Sequence, residues 1–111
     1  DLRSAEFLTG LHPQPREIIC FHCQQAAEKA LKALLVAGHT RPPKTHDLQE
    51  LLDRLEDQTL SERLSESAII LSEFSVVTRY PGVSDVDDSD VAAALTAARQ
   101  VLDEVLKAVH G

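Results

Sequence analysis

A chain of 111 residues, 43% of them hydrophobic, is sized for one domain with a core of its own, and residues 1–111 read as a single unit. A formal charge of −7 and a pI near 5.1 exclude a protein that coats nucleic acid generally, because phosphate contacts need an excess of Lys and Arg, but a local basic patch is still allowed. Four glycines, no Trp and no Met, with apolar content carried by Ala, Leu and Val, favour packed helices over a turn-rich β fold. No run of about 18 uncharged apolar residues is present and no basic–apolar signal pattern opens the sequence, so a cytoplasmic protein without a membrane span is expected.

Leu2, Ala5, Glu6 and Leu8 read as a short first helix, closed by Gly10 and by Pro13 and Pro15. From Arg16 to Ala37, apolar residues recur at steps of three and four with no internal Pro or Gly, which predicts a long second helix stopped at Gly38. The following HTRPPKT must be extended, since each proline removes a donor and pushes its predecessor out of the helical region. Thr45 or His46 is the expected cap of a short third helix striped by Leu48, Leu51, Leu52 and Leu55, with Asp47 and Glu50 in its first turn. Thr59-Leu-Ser-Glu62 has the form of a capping box and predicts the start of a fourth helix. Leu60, Leu64, Ala68, Leu71 and Phe74 carry that helix to about Thr78, where Arg79-Tyr80-Pro81-Gly82 breaks it. After the acidic run SDVDDSD, with several possible caps, Val91, Leu95, Ala98, Leu102, Val105 and Val109 stripe the last helix, and Asp103 pairs with Lys107. The loops are of bundle length, so the predicted fold class is all-α, an antiparallel up-and-down bundle of four to five helices.

Cys20 and Cys23 form a C-x-x-C within the second helix. A structural zinc needs four ligands, and His22 points to another side of the helix from the two thiols, so they are expected to act as small apolar residues with no metal or cofactor required.

The strings FHCQQAAEKALKALL, PPKTHDLQELL and RYPG, in this order and at these separations, resemble the HEPN family, the higher-eukaryote and prokaryote nucleotide-binding domain. The likeness covers nearly the whole chain. It implies a bundle of four or five helices, frequent homodimerisation, binding of nucleotide or RNA, and prokaryotic genes often paired with a small nucleotidyltransferase, in some cases as a toxin-antitoxin system. Many family members are also metal-independent ribonucleases with an Arg-x(4–6)-His motif near a late helix. Arg41-Pro-Pro-Lys-Thr-His46 fits that spacing but lies before the short third helix, which weighs against a catalytic reading of Arg41 and His46; Arg99 has no His until His110.

On a helical wheel Gln24, Gln25, Glu28 and Lys32 form one polar ridge. One reading is a solvated face, in which Glu28 and Lys32 contribute about 0.2–0.5 kcal/mol as an i, i+4 pair. The other is that the ridge faces His46-Asp47 and Arg79-Tyr80, so that Gln25, Glu28, Lys32, His46, Asp47, Arg79 and Tyr80 line one ligand-binding cleft. There Lys32 and Arg79 would hold a phosphate while Glu28 and Asp47 orient the cations. Tyr80, the only tyrosine, either plugs the end of the core or stacks on a base. Three functions follow: a nucleotide- or RNA-binding module working with a nucleotidyltransferase, a metal-independent endoribonuclease using His46 with Arg41 or Arg79, and a non-catalytic dimer for protein interaction.

Overall fold

A computed structural model describes residues 1–10, 15–74 and 86–110, and the described residues form five helices and no strand. They are α1 (Leu2–Leu8), α2 (Arg16–Ala37), α3 (Leu48–Asp53), α4 (Gln58–Ser72) and α5 (Asp88–His110). The all-α bundle expected from the hydrophobic spacing is therefore present. The break at Arg79–Gly82 lies outside the described residues, as do His12 and Pro13.

Only α2 has both expected bounds, and its end is built differently from the reading. Gly38 has φ −87°, which any residue tolerates, whereas His39 is left-handed at φ 62°. The Thr40 amide donates to the Leu35 carbonyl at 2.8 Å and the His39 amide to Val36 at 3.0 Å. That pair of bonds is a Schellman stop, with histidine where glycine is usual.

The caps differ from expectation. Asp47, not Thr45 or His46, caps α3: its carboxylate accepts from the Gln49 amide, and its own amide donates to the Thr45 hydroxyl. Asp57, not Thr59, caps α4 by accepting from the Leu60 amide, so the Thr59–Glu62 box does not form the helix start. In each case a carboxylate at the end of the preceding loop takes the cap, because it also answers the positive end of the helix. The reciprocal box lies at α5, where Asp87 and Asp90 accept from each other's amides at 2.8 and 3.0 Å. Helix α4 ends at Ser72, short of Thr78, and the Phe74 amide tightens its last turn onto Leu71.

The most extensive packing is between α2 and α5, followed by α4 on α5. An Arg16–Asp88 ion pair at 2.8 Å joins the N-termini of α2 and α5, so these two run the same way. Ser67–Gln100 and Arg63–Glu104 contacts set α4 antiparallel to α5. With α3 too short to serve as a full leg, the long helices alternate up and down.

The stripe of α5 is rotated from the expected one. Val91, Ala94, Ala98, Val101 and Val105 are buried, Leu95 and Leu102 are half-buried, and Val109 is exposed. Both sets have heptad spacing; the smaller residues are the ones that let helices approach closely, and Ala27 of α2 shares the same core. Lys107 pairs with Glu104 at 3.9 Å rather than with Asp103.

Candidate functional site

Gln24, Glu28 and Lys32 stand one turn apart on α2, so their side chains stack along one line. Two of them lie inside the protein: Gln24 is fully buried and Glu28 is 5% exposed. The solvated-face reading therefore fails for these two. Burying an amide and a carboxylate is costly unless their polar atoms find partners, and the α2–α3 loop provides them.

That loop is fixed at both ends, by the Schellman stop at residues 38–40 and by the Thr45–Asp47 cap. In between, Pro42 and Pro43 restrict the backbone. The result brings His46 back over α2. The Gln24 amide donates to the His46 carbonyl at 3.1 Å and to Glu28 at 3.4 Å, and accepts from Gln25 at 2.8 Å. His46 Nδ1 meets Glu28 Oε1 at 2.9 Å, while Lys32 Nζ reaches Glu28 Oε2 at 3.3 Å. Each carboxylate oxygen thus has its own cationic or ring N–H partner.

Burial alone would raise the Glu28 pKa, but hydrogen bonds from His46, Lys32 and Gln24, with the Lys32 charge, bring it below its ordinary value. The group is therefore a carboxylate at neutral pH and can only accept. In the neutral ring the His46 proton then sits on Nδ1, leaving Nε2 with its lone pair, and the His46 side chain is 75% exposed. A buried anion holds an ammonium and an imidazole at the surface.

Of the residues expected to share one cleft, Gln25, Glu28, Lys32 and His46 come together. Asp47 follows His46 in the chain, and its carboxylate accepts from the Gln49 amide as the cap of α3. Arg79 and Tyr80 lie outside the described residues. Arg41 is exposed on the loop. Gln24 belongs to the site although it was read only as part of the ridge; its place one turn before Glu28 was the available signal.

The thiols are separate from all of this. Cys20 and Cys23 are fully buried; burial, with the neighbouring Cys23, Asp90 and Glu17, pushes Cys20 up to about 12. Burial likewise pushes Cys23 up to about 11, against the lowering effect of Arg99. No group of three or more His, Cys, Asp or Glu suited to a metal is found among the described residues.

The family model of the HEPN domain matches residues 1–109. The chain belongs to the HEPN family. Neither the curated proteins nor the solved structures contain a match to it. Membership supports a nucleotide- or RNA-related helical module, and in this HEPN domain the described helices are too short or too polar to cross a membrane.

Proposed function

We propose that this HEPN domain binds a phosphate-bearing ligand, a nucleotide or a stretch of RNA, over the surface formed by Lys32 and His46. The observation that carries this is the ionised, buried Glu28, which holds both groups in place before a ligand arrives. A preset cation loses little freedom on binding, and Lys32 then acts as a point charge. Arg79 joins as the bidentate partner of the phosphate, and Tyr80 stacks on the base. A protonated His46 donates from Nε2 without releasing Nδ1 from Glu28.

The domain acts as a homodimer beside a nucleotidyltransferase partner, in the manner of a two-gene toxin-antitoxin system. Exposed Phe7, Ile69, Leu106 and Val109 offer apolar surface for the second copy. Light scattering checks the dimer, and a monomer at micromolar concentration would refute it.

A second reading is a metal-independent endoribonuclease. It is favoured by one feature, the carboxylate–imidazole pair, which in the neutral tautomer places the lone pair on Nε2 of an exposed ring, as a general base requires. Lys32→Ala and Arg79→Ala are expected each to weaken mononucleotide binding by about 1–3 kcal/mol with helicity intact, read by calorimetry and circular dichroism. Cleavage that vanishes with His46→Ala would favour the enzyme. Unchanged binding in both cation variants would leave only a protein-interaction dimer.

A further inference from the structure

The charge of this acidic protein is unevenly distributed. Residues 29–46 contain four of the 11 Lys and Arg residues, two of the five His, and none of the 18 Asp and Glu. Residues 47–74 reverse this, with eight acids against Arg54 and Arg63. The boundary falls at His46-Asp47, beside the site described above.

Two of the four cations are already engaged: Lys29 pairs with Asp1 and Lys32 with Glu28. Arg41 and Lys44 are exposed, and neither pairs with an acid among the described residues. Their ordinary uses do not apply. They lie past the end of α2 at Ala37, whose terminal carbonyls are met by backbone amides of residues 38–40, so they are not needed as helix caps. A chain of charge −7 gains nothing in solubility from them either. They stand on a loop stiffened by Pro42 and Pro43, bent at Lys44 where the Thr45 amide donates to the Pro43 carbonyl at 2.9 Å, and pinned at His46 by Gln24 and Glu28.

We infer that residues 39–46 form a track for a nucleic-acid single strand, one phosphate resting at Lys32 and His46 and its neighbours over Lys44 and Arg41. The inference rests on the proposed phosphate site and extends it from one nucleotide to a strand. The five steps from Arg41 to His46 would span about 16 Å fully extended and are shortened by the turn at Lys44, which still leaves room for a neighbouring phosphate beside the one at His46. A single narrow strip of cations matches one backbone better than a duplex, and the acidic α3–α4 side repels a strand that strays from it.

The test compares a labelled 12-nucleotide RNA with a 5′-mononucleotide, by anisotropy and competition, across sodium chloride from low to physiological concentration. Three phosphate contacts give a salt slope of about −2 for a single strand, and removing two should reduce its magnitude by about 1.4. The double variant Arg41→Gln, Lys44→Gln is expected to weaken RNA binding about tenfold at low salt and to leave mononucleotide binding within about twofold. A DNA strand of the same sequence should bind comparably, since the contacts are to phosphate. An unchanged RNA slope in the double variant, with mononucleotide binding retained, overturns the track and leaves the site standing. Polyglutamate bound as tightly as RNA overturns it too, marking an acidic-protein dock. If neither RNA nor mononucleotide binds, the site reading falls and the track with it.

Discussion

Three buried ionisable groups lie on α2 within about two turns of each other, and their pKa values move in opposite directions. Cys20 and Cys23 enter the core among apolar neighbours, and burial pushes both thiols well above their ordinary value. Glu28 enters it beside Gln24, Lys32 and His46, and stays below its ordinary value. Desolvation acts on all three. What differs is that Glu28 meets N–H donors, Gln24 and Lys32 from α2 itself and His46 from the loop, so the two thiols are chemically quiet while the carboxylate keeps a charge that organises the surface above it.

Removing that charge should have the largest effect. Glu28→Ala leaves Gln24 short of a partner and frees Lys32 and His46, and is expected to cost about 2 kcal/mol in chemical denaturation at pH 7. A loss below about 0.5 kcal/mol, the range of ordinary surface changes, would place Glu28 with solvated residues. The sign with pH follows from the lowered folded value. Glu28 contributes stability above its unfolded pKa, near 4.5, and that contribution fades as pH falls through the lower folded pKa. The gap between wild type and Glu28→Ala should therefore narrow in acid.

The quiet half of the comparison is sharpened by thiol labelling. Cys20 and Cys23 should resist a disulfide reagent at pH 8 in the native protein and react fully in denaturant, since only the thiolate attacks. Rapid labelling of the folded protein would show that this part of α2 opens readily. The smallest effect expected is at the loop's entry. His39→Gly should stabilise the protein by about 0.5 kcal/mol, the relief of a left-handed residue partly offset by a freer unfolded chain. Destabilisation instead would show that the imidazole is needed where it is.

The parts of the molecule that could be read from sequence share a physical reason. Helix α2 has 22 residues of uninterrupted period, and a long pattern leaves little freedom in where it starts or stops. Caps were harder: Asp57 and Thr59 both satisfy the local chemistry, and a choice between them depends on how the loop arrives. On α5 Val91, Ala98 and Val105 are legible from the spacing, but the large side chains of Leu95 and Leu102 draw the stripe to one side, whereas the described core also uses Ala94 and Val101. At the site, polar spacing on α2 singled out Glu28 and Lys32, but the wheel alone left solvent and loop as equal partners. Only the path of the loop across Gln24 decides between them, and that is a tertiary fact.

The central claim, that Glu28 holds Lys32 and His46 ready for a phosphate, is tested most directly by nitrogen NMR of the His46 ring during titration with a 5′-mononucleotide at low salt. The account predicts that Nδ1 carries the proton in the neutral form of the ring, a saturable shift at Nε2 on adding nucleotide, and loss of that shift in Lys32→Ala. A neutral ring carrying its proton on Nε2 alone, or His46 resonances that stay still while nucleotide is added to millimolar excess, would contradict it.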